Sequence, residues 1–207
     1  MIDDPSRSTV VAWYETLPDE LALLVERVQV GAGQLLGDTF TPREPTQVHA
    51  TLIGLESAAA PFDPAPLAAH LREALSPPWT IRFGGFTPGD RRWRSRGLPL
   101  HERMAGVYGS KVVLIGWPVV DDAPQRILAE LRLRCAEFGV THSYGDDPDV
   151  YLVLGEVTGG PTAHVVSVIR HELAATPVFV PLSVADLSLV TYDDTTLPRA
   201  STIWHSL

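Results

Sequence analysis

The sequence predicts an α+β protein of two lobes, each a mainly antiparallel sheet flanked by helices, with the lobes related by a pseudo-two-fold axis. Three observations carry this. A buried strand, a helix with Pro near its start, then a Pro and another strand occur at 48–86 and again at 149–190, a weak internal repeat. The spacing agrees: Pro78 follows His49 by 29 residues and Pro177 follows Asp149 by 28. Each unit is also preceded by a strand and a helix, 8–30 in one half and 111–138 in the other. At 207 residues the chain reads as a single two-lobed domain, 1–207, long enough to bury a core.

The elements follow in order. Residues 8–15, with Val10, Ala12 and Tyr14 on one face, read as a strand. Thr16, Pro18, Asp19 and Glu20 supply a cap, a first-turn Pro and acids for a helix that runs to about Val30 and stops at Gly31. Pro42 and Pro45 exclude regular pairing at 41–45. The run 47–55 is then an apolar strand, with Val48, Ala50 and Leu52 on one face and His49 and Thr51 on the other. Leu67, Leu71 and Leu75 mark a second helix, closed by Pro77 and Pro78, and 79–86 is a strand. A polar loop spans 87–110, and 111–117 is a buried strand. Asp121 and Asp122 cap a third helix whose stripe is Ile127, Leu128, Leu131 and Cys135, ending at Gly139. A polar turn, 141–148, leads to the strand 149–157, a fourth helix runs to about Ala174, and the chain closes with strands over 178–192 and 202–205.

Composition narrows the function classes. Sixteen basic against twenty-five acidic side chains give a net charge of −9, which opposes broad binding to duplex DNA. Local attraction to an anion is still available, because Arg91, Arg92, Arg94, Arg96 and Arg103 gather around Trp93; a solvated arginine loop is the alternative. A single cysteine excludes intrachain disulfides and fits a reducing compartment, so a cytoplasmic location is expected. The first residues are acidic rather than basic then apolar, and no stretch is long and apolar enough for a membrane span, so no membrane partner is expected.

His49 and Thr51 are the candidate site, because an imidazole and a hydroxyl on an apolar strand are costly unless they meet partners or an open cleft. With the repeat aligned, Asp149 stands where His49 stands and Tyr151 where Thr51 stands. At this point the chain resembles the two-histidine (2H) phosphoesterases, which include the 2′-5′ RNA ligase-like proteins and cyclic phosphodiesterases. Residues 10–20 look like the family's opening strand and "LP-x-E" helix start, His49-Ala50-Thr51-Leu52 matches its first His-x-Thr/Ser motif, and 138–155 matches the approach to its second.

The resemblance implies that two histidines flank a phosphodiester as base and acid while two hydroxyls hold phosphate oxygens. An imidazole suits either role, and placed donors stabilise charge on phosphate. Carried over, His49 and Thr51 match, whereas Asp149 and Tyr151 depart from the second motif. A bare Asp149 would repel phosphate. His142, seven residues earlier, is the candidate to replace it. Arg43, Arg92, Arg94 and His142 are the candidate substrate-binding residues for a nucleotide or RNA-end phosphate. No cofactor and no metal is expected, although Asp146, Asp147 and Asp149 could gather around a divalent cation. Three readings stay open: an active cyclic phosphodiesterase, an inactive nucleotide or RNA-end binder, and a protein-interaction module.

Overall fold

The computed structural model describes residues 1–86, 88–143 and 145–206; Thr87, in the predicted loop, and Tyr144, in the predicted turn, lie outside the described residues. β1 (Ser8–Ala12) is buried throughout. It stops short of the predicted Glu15 because Trp13 and Glu15 take φ of 58° and 65°, which no strand accommodates. α1 (Asp19–Leu36) has Asp19 and Glu20 at its positive dipole end and buries Leu21, Leu24, Val25, Val28 and Ala32 at helical spacing. It passes the predicted stop at Gly31 and ends at Gly37, with φ of 56°. Gly31 serves packing instead, since a Cβ there would collide with the Leu173 side chain.

β2 (Phe40–Pro42) does pair, contrary to expectation. Pro42 is its last residue, where a missing N–H is tolerated. β3 (Ala50–Gly54) and α2 (Ala65–Ala74) lead to β4 (Trp79–Phe83). The predicted long loop is structured: the hairpin β5 (Arg94–Ser95) and β6 (Leu98–Pro99) and the strand β7 (Ala105–Tyr108) fall within it. Leu100 and Met104 anchor this segment on Val113, Ile115 and Trp117 of β8 (Lys111–Val120).

Asp121 and Asp122 do not cap a helix. Both have positive φ, 47° and 62°, and form the two-residue turn from β8 to β9 (Ala123–Pro124). Two successive left-handed residues match strand twist in such hairpins, and Asp tolerates them better than most side chains. α3 (Ile127–Arg134) therefore starts later, followed by β10 (Val150–Val157) and by α4 (Ala163–Val168), where Thr162 accepts from the Val165 N–H at 3.3 Å. A π-helical turn over Ile169–Leu173 extends it. β11 (Val178–Leu182), β12 (Leu187–Tyr192) and β13 (Thr202–Ser206) end the chain.

Among the described residues, eleven strands form one antiparallel sheet with the path β11-β4-β8-β10-β3-β1-β12-β13. β2 pairs beside β10, and β7 and β9 pair with β8. Instead of the two separate sheets that the repeat predicts, β3 and β10 meet at Leu152↔Ala50 and make the sheet continuous. The two strands of the predicted motifs are therefore neighbours. No helix among the described residues is long and apolar enough to cross a membrane.

Candidate functional site

Strand alternation builds the first wall of the site. Val48, Ala50 and Leu52 are fully buried in the main core, while His49 and Thr51 line a cleft of about 230 Å³. Tyr151 of β10, Arg43, Lys111, Glu56 and His142 line the same cleft. Of the sequence candidates, the fold thus brings together His49, Thr51, Tyr151, Arg43 and His142.

The two imidazoles have defined tautomers. His49 Nδ1 lies 2.7 Å from the Gln47 carbonyl, which only accepts, so Nδ1 carries the proton and Nε2 is the basic atom. Burial lowers the His49 pKa to about 4, against the Gln47 hydrogen bond, and the Arg43 cation adds to the depression. His142 is the mirror case. Its Nδ1 accepts from the Gly54 N–H at 3.3 Å, so the neutral ring carries its proton on Nε2. Burial, then the Arg132 and Arg96 cations, lower its pKa to about 4, with Asp147 opposing. At neutral pH the cleft therefore holds one uncharged base and one uncharged donor.

Arg43 and Lys111 supply positive charge, and among the described residues neither makes an ion pair. Arg43 Nε is buried without a hydrogen-bond partner, and burial lowers its pKa, with Glu156 and Asp194 opposing. A half-buried guanidinium whose buried Nε donor is unused favours an anion. Burial likewise raises the Tyr151 pKa, so the phenol stays a neutral donor. Lys111 and Glu56 were not among the sequence candidates. The one signal for Lys111 is a charge opening an otherwise apolar strand, and nothing distinguishes Glu56 from a solvated acid.

Asp149 corrects the predicted site. It is 1% exposed and lies off the cleft. Its Oδ2 accepts from Arg103 Nη2 at 2.5 Å and Ser95 Oγ at 2.7 Å, and Oδ1 accepts from Trp117 Nε1 at 2.7 Å. The reason is the segment 88–104, which folds over this face of β8 and β10 and brings Ser95 and Arg103 onto the carboxylate. Asp149 is neither a bare anion nor available to a substrate. Asp147 shares the one Ser95 hydroxyl proton with Asp149, its Oδ1 lying 2.8 Å from Ser95 Oγ, and accepts from Arg96 Nε at 2.5 Å, so these acids face donors instead of gathering around a cation. Among the described residues no group of three His, Cys, Asp or Glu could hold a metal ion.

Arg92 and Arg94 also lie away from the cleft. Both are exposed, and Arg94 Nη1 donates to the Gly97 carbonyl at 2.9 Å beside a separate depression containing Arg96, Arg126 and Asp146. The substrate-binding role expected for them at the His49 cleft has no support in this placement.

No protein-family model matches the chain, and no curated protein matches it. A solved structure does. The chain is similar to TT0787 of Thermus thermophilus, at 18% sequence identity and a TM-score of 0.50, over 97% of this chain and 94% of that one. The likeness is one of fold, and it extends across the α+β architecture described above.

Proposed function

We propose that the cleft binds a nucleotide or RNA-end phosphodiester and that the protein is a 2H phosphoesterase-like hydrolase whose second histidine is His142. The observation that carries this is the meeting of His49, His142, Thr51, Arg43 and Lys111 on one cleft. Across the β3–β10 junction the strands that match in the sequence repeat hold matching places, β1 beside β3 and β8 beside β10, which supports the approximate two-fold relation of the lobes. A buried, reduced Cys135 fits the expected cytoplasmic location.

The chemistry follows from the tautomers. His49 Nε2 takes the proton of an attacking water, the neutral His142 Nε2–H hydrogen-bonds the departing ribose oxygen or a phosphate oxygen, and solvent supplies the proton that the departing oxygen takes up. Arg43 and Lys111 offset the charge that develops on phosphorus-bound oxygens, and the Thr51 hydroxyl orients one of them. A bound phosphate raises both imidazole pKa values, because an adjacent anion favours the charged ring. A binder without turnover is the second reading. It is favoured by the low pKa of His142, since a neutral imidazole is a weak acid.

A panel of 2′,3′-cyclic nucleotides and 2′-5′-linked dinucleotides separates the two. Turnover that falls on the order of 10²–10⁴-fold in both His49→Ala and His142→Ala supports the enzyme. Saturable binding without turnover supports the module. Turnover unchanged in either variant removes that histidine from the mechanism.

A further inference from the structure

The β3–β10 junction rests on one residue pair, Leu152↔Ala50. Continuing that antiparallel register would set Thr51 and Leu52 against Tyr151 and Val150, yet no further pair forms between the strands. A side chain from α3 occupies the gap. Arg132, 4% exposed, donates from Nε to the Leu52 carbonyl at 2.9 Å and from Nη2 to the carbonyls of Thr51 at 3.4 Å and Asp149 at 3.1 Å. Its Nη1 donates to the Asp147 carbonyl at 2.8 Å. The acceptors divide evenly: two on the strand that carries Thr51 and follows His49, two on the turn that joins His142 to β10.

We infer that Arg132 is the positioning residue of the cleft, pinning its two walls at a fixed separation and holding its charge against the turn that carries His142. The inference takes its functional meaning from the proposed role of the cleft, but its test uses no phosphate, so either can fail alone. A planar guanidinium with five donors in a rigid fork can serve carbonyls on two strands at once, whereas an ammonium is a single point. Burial lowers the Arg132 pKa to about 10, with Asp149 and Asp147 supporting its charge, so it remains a cation at neutral pH. The other charges around His142 are Arg96 from the β5–β6 turn and Asp147 from its own turn, with Arg43, Lys111 and Glu56 across the cleft. Arg132 is the one that also holds the backbone of both walls.

The test is an imidazole NMR titration of the full chain, with His49 as the internal control, together with amide exchange at Gly54, whose N–H is the donor to His142. In Arg132→Met, His142 should titrate about one pH unit higher, a tenfold gain in proton affinity, while His49 stays put. In Arg132→Lys the charge is kept and the fork is lost, so His142 should titrate as in wild type while Gly54 exchange quickens by about tenfold or more. Should Arg132→Met not fold, Arg132→Lys decides. A His142 titration unmoved in folded Arg132→Met, both histidines shifting together, or Gly54 exchange unchanged in Arg132→Lys would each overturn the inference.

Discussion

At the scale of single residues, the protonation of His49 couples stability to pH. Its folded pKa lies near 4, below the ordinary imidazole value. Between those limits the unfolded chain binds more protons than the folded one, so stability rises with pH there. The stabilisation is full above the unfolded pKa of about 6.5 and is lost as pH falls toward 4. For His49, which is nearly buried, the loss is on the order of 3 kcal/mol. His142 adds a smaller contribution of the same sign because it is partly exposed. Urea unfolding at pH 7 and pH 4.5 should show this acid weakening, and His49→Gln should reduce the difference. An acid limb that is identical in His49→Gln would mean that other groups carry it.

At the scale of elements, two short pieces decide what the cleft contains. The first is the segment 88–104, which closes over Asp149. Because Arg103 and Asp149 are both buried, Asp149→Asn leaves an uncompensated guanidinium and should cost about 3–5 kcal/mol in denaturant unfolding. It should not tighten phosphate binding, as a bare cleft carboxylate would predict. Asp149→His should likewise fail to create a second catalytic histidine. The second piece is the Asp121–Asp122 turn. Asp122→Gly relieves a left-handed side-chain conformation and should raise stability by up to about 1 kcal/mol, read as a shift in the urea midpoint at unchanged m-value. These same pieces mark where sequence reading stopped. Strand alternation placed His49 and Thr51 on one face, since that depends on neighbours two residues apart. The covering of Asp149 depends on Ser95 and Arg103, 54 and 46 residues away, and no local pattern carries that. Two adjacent Asp residues are equally good as a helix start and as a tight turn, and the strand pairing Val120↔Ala123 selects the turn.

At the scale of the whole molecule, the duplicated order of elements anticipated that 48–55 and 149–157 would hold equivalent places in two lobes, but not that one continuous sheet would make them neighbours. That continuity leaves the junction spanned by a single residue pair and by Arg132, and the cleft opens beside it. The turn before β10 then delivers His142 to the cleft, while the aligned position, Asp149, is buried next door. The pairing of His49 with His142 as the phosphate-facing residues is the central claim. It is tested most directly by following the imidazole resonances of His49 and His142 while a 2′,3′-cyclic nucleotide is added at pH 6. The account predicts that both move together along one saturation curve and that both titrate at higher pH in the bound state. It is contradicted if the nucleotide leaves both unmoved, or if only the exposed His164 and His171 respond.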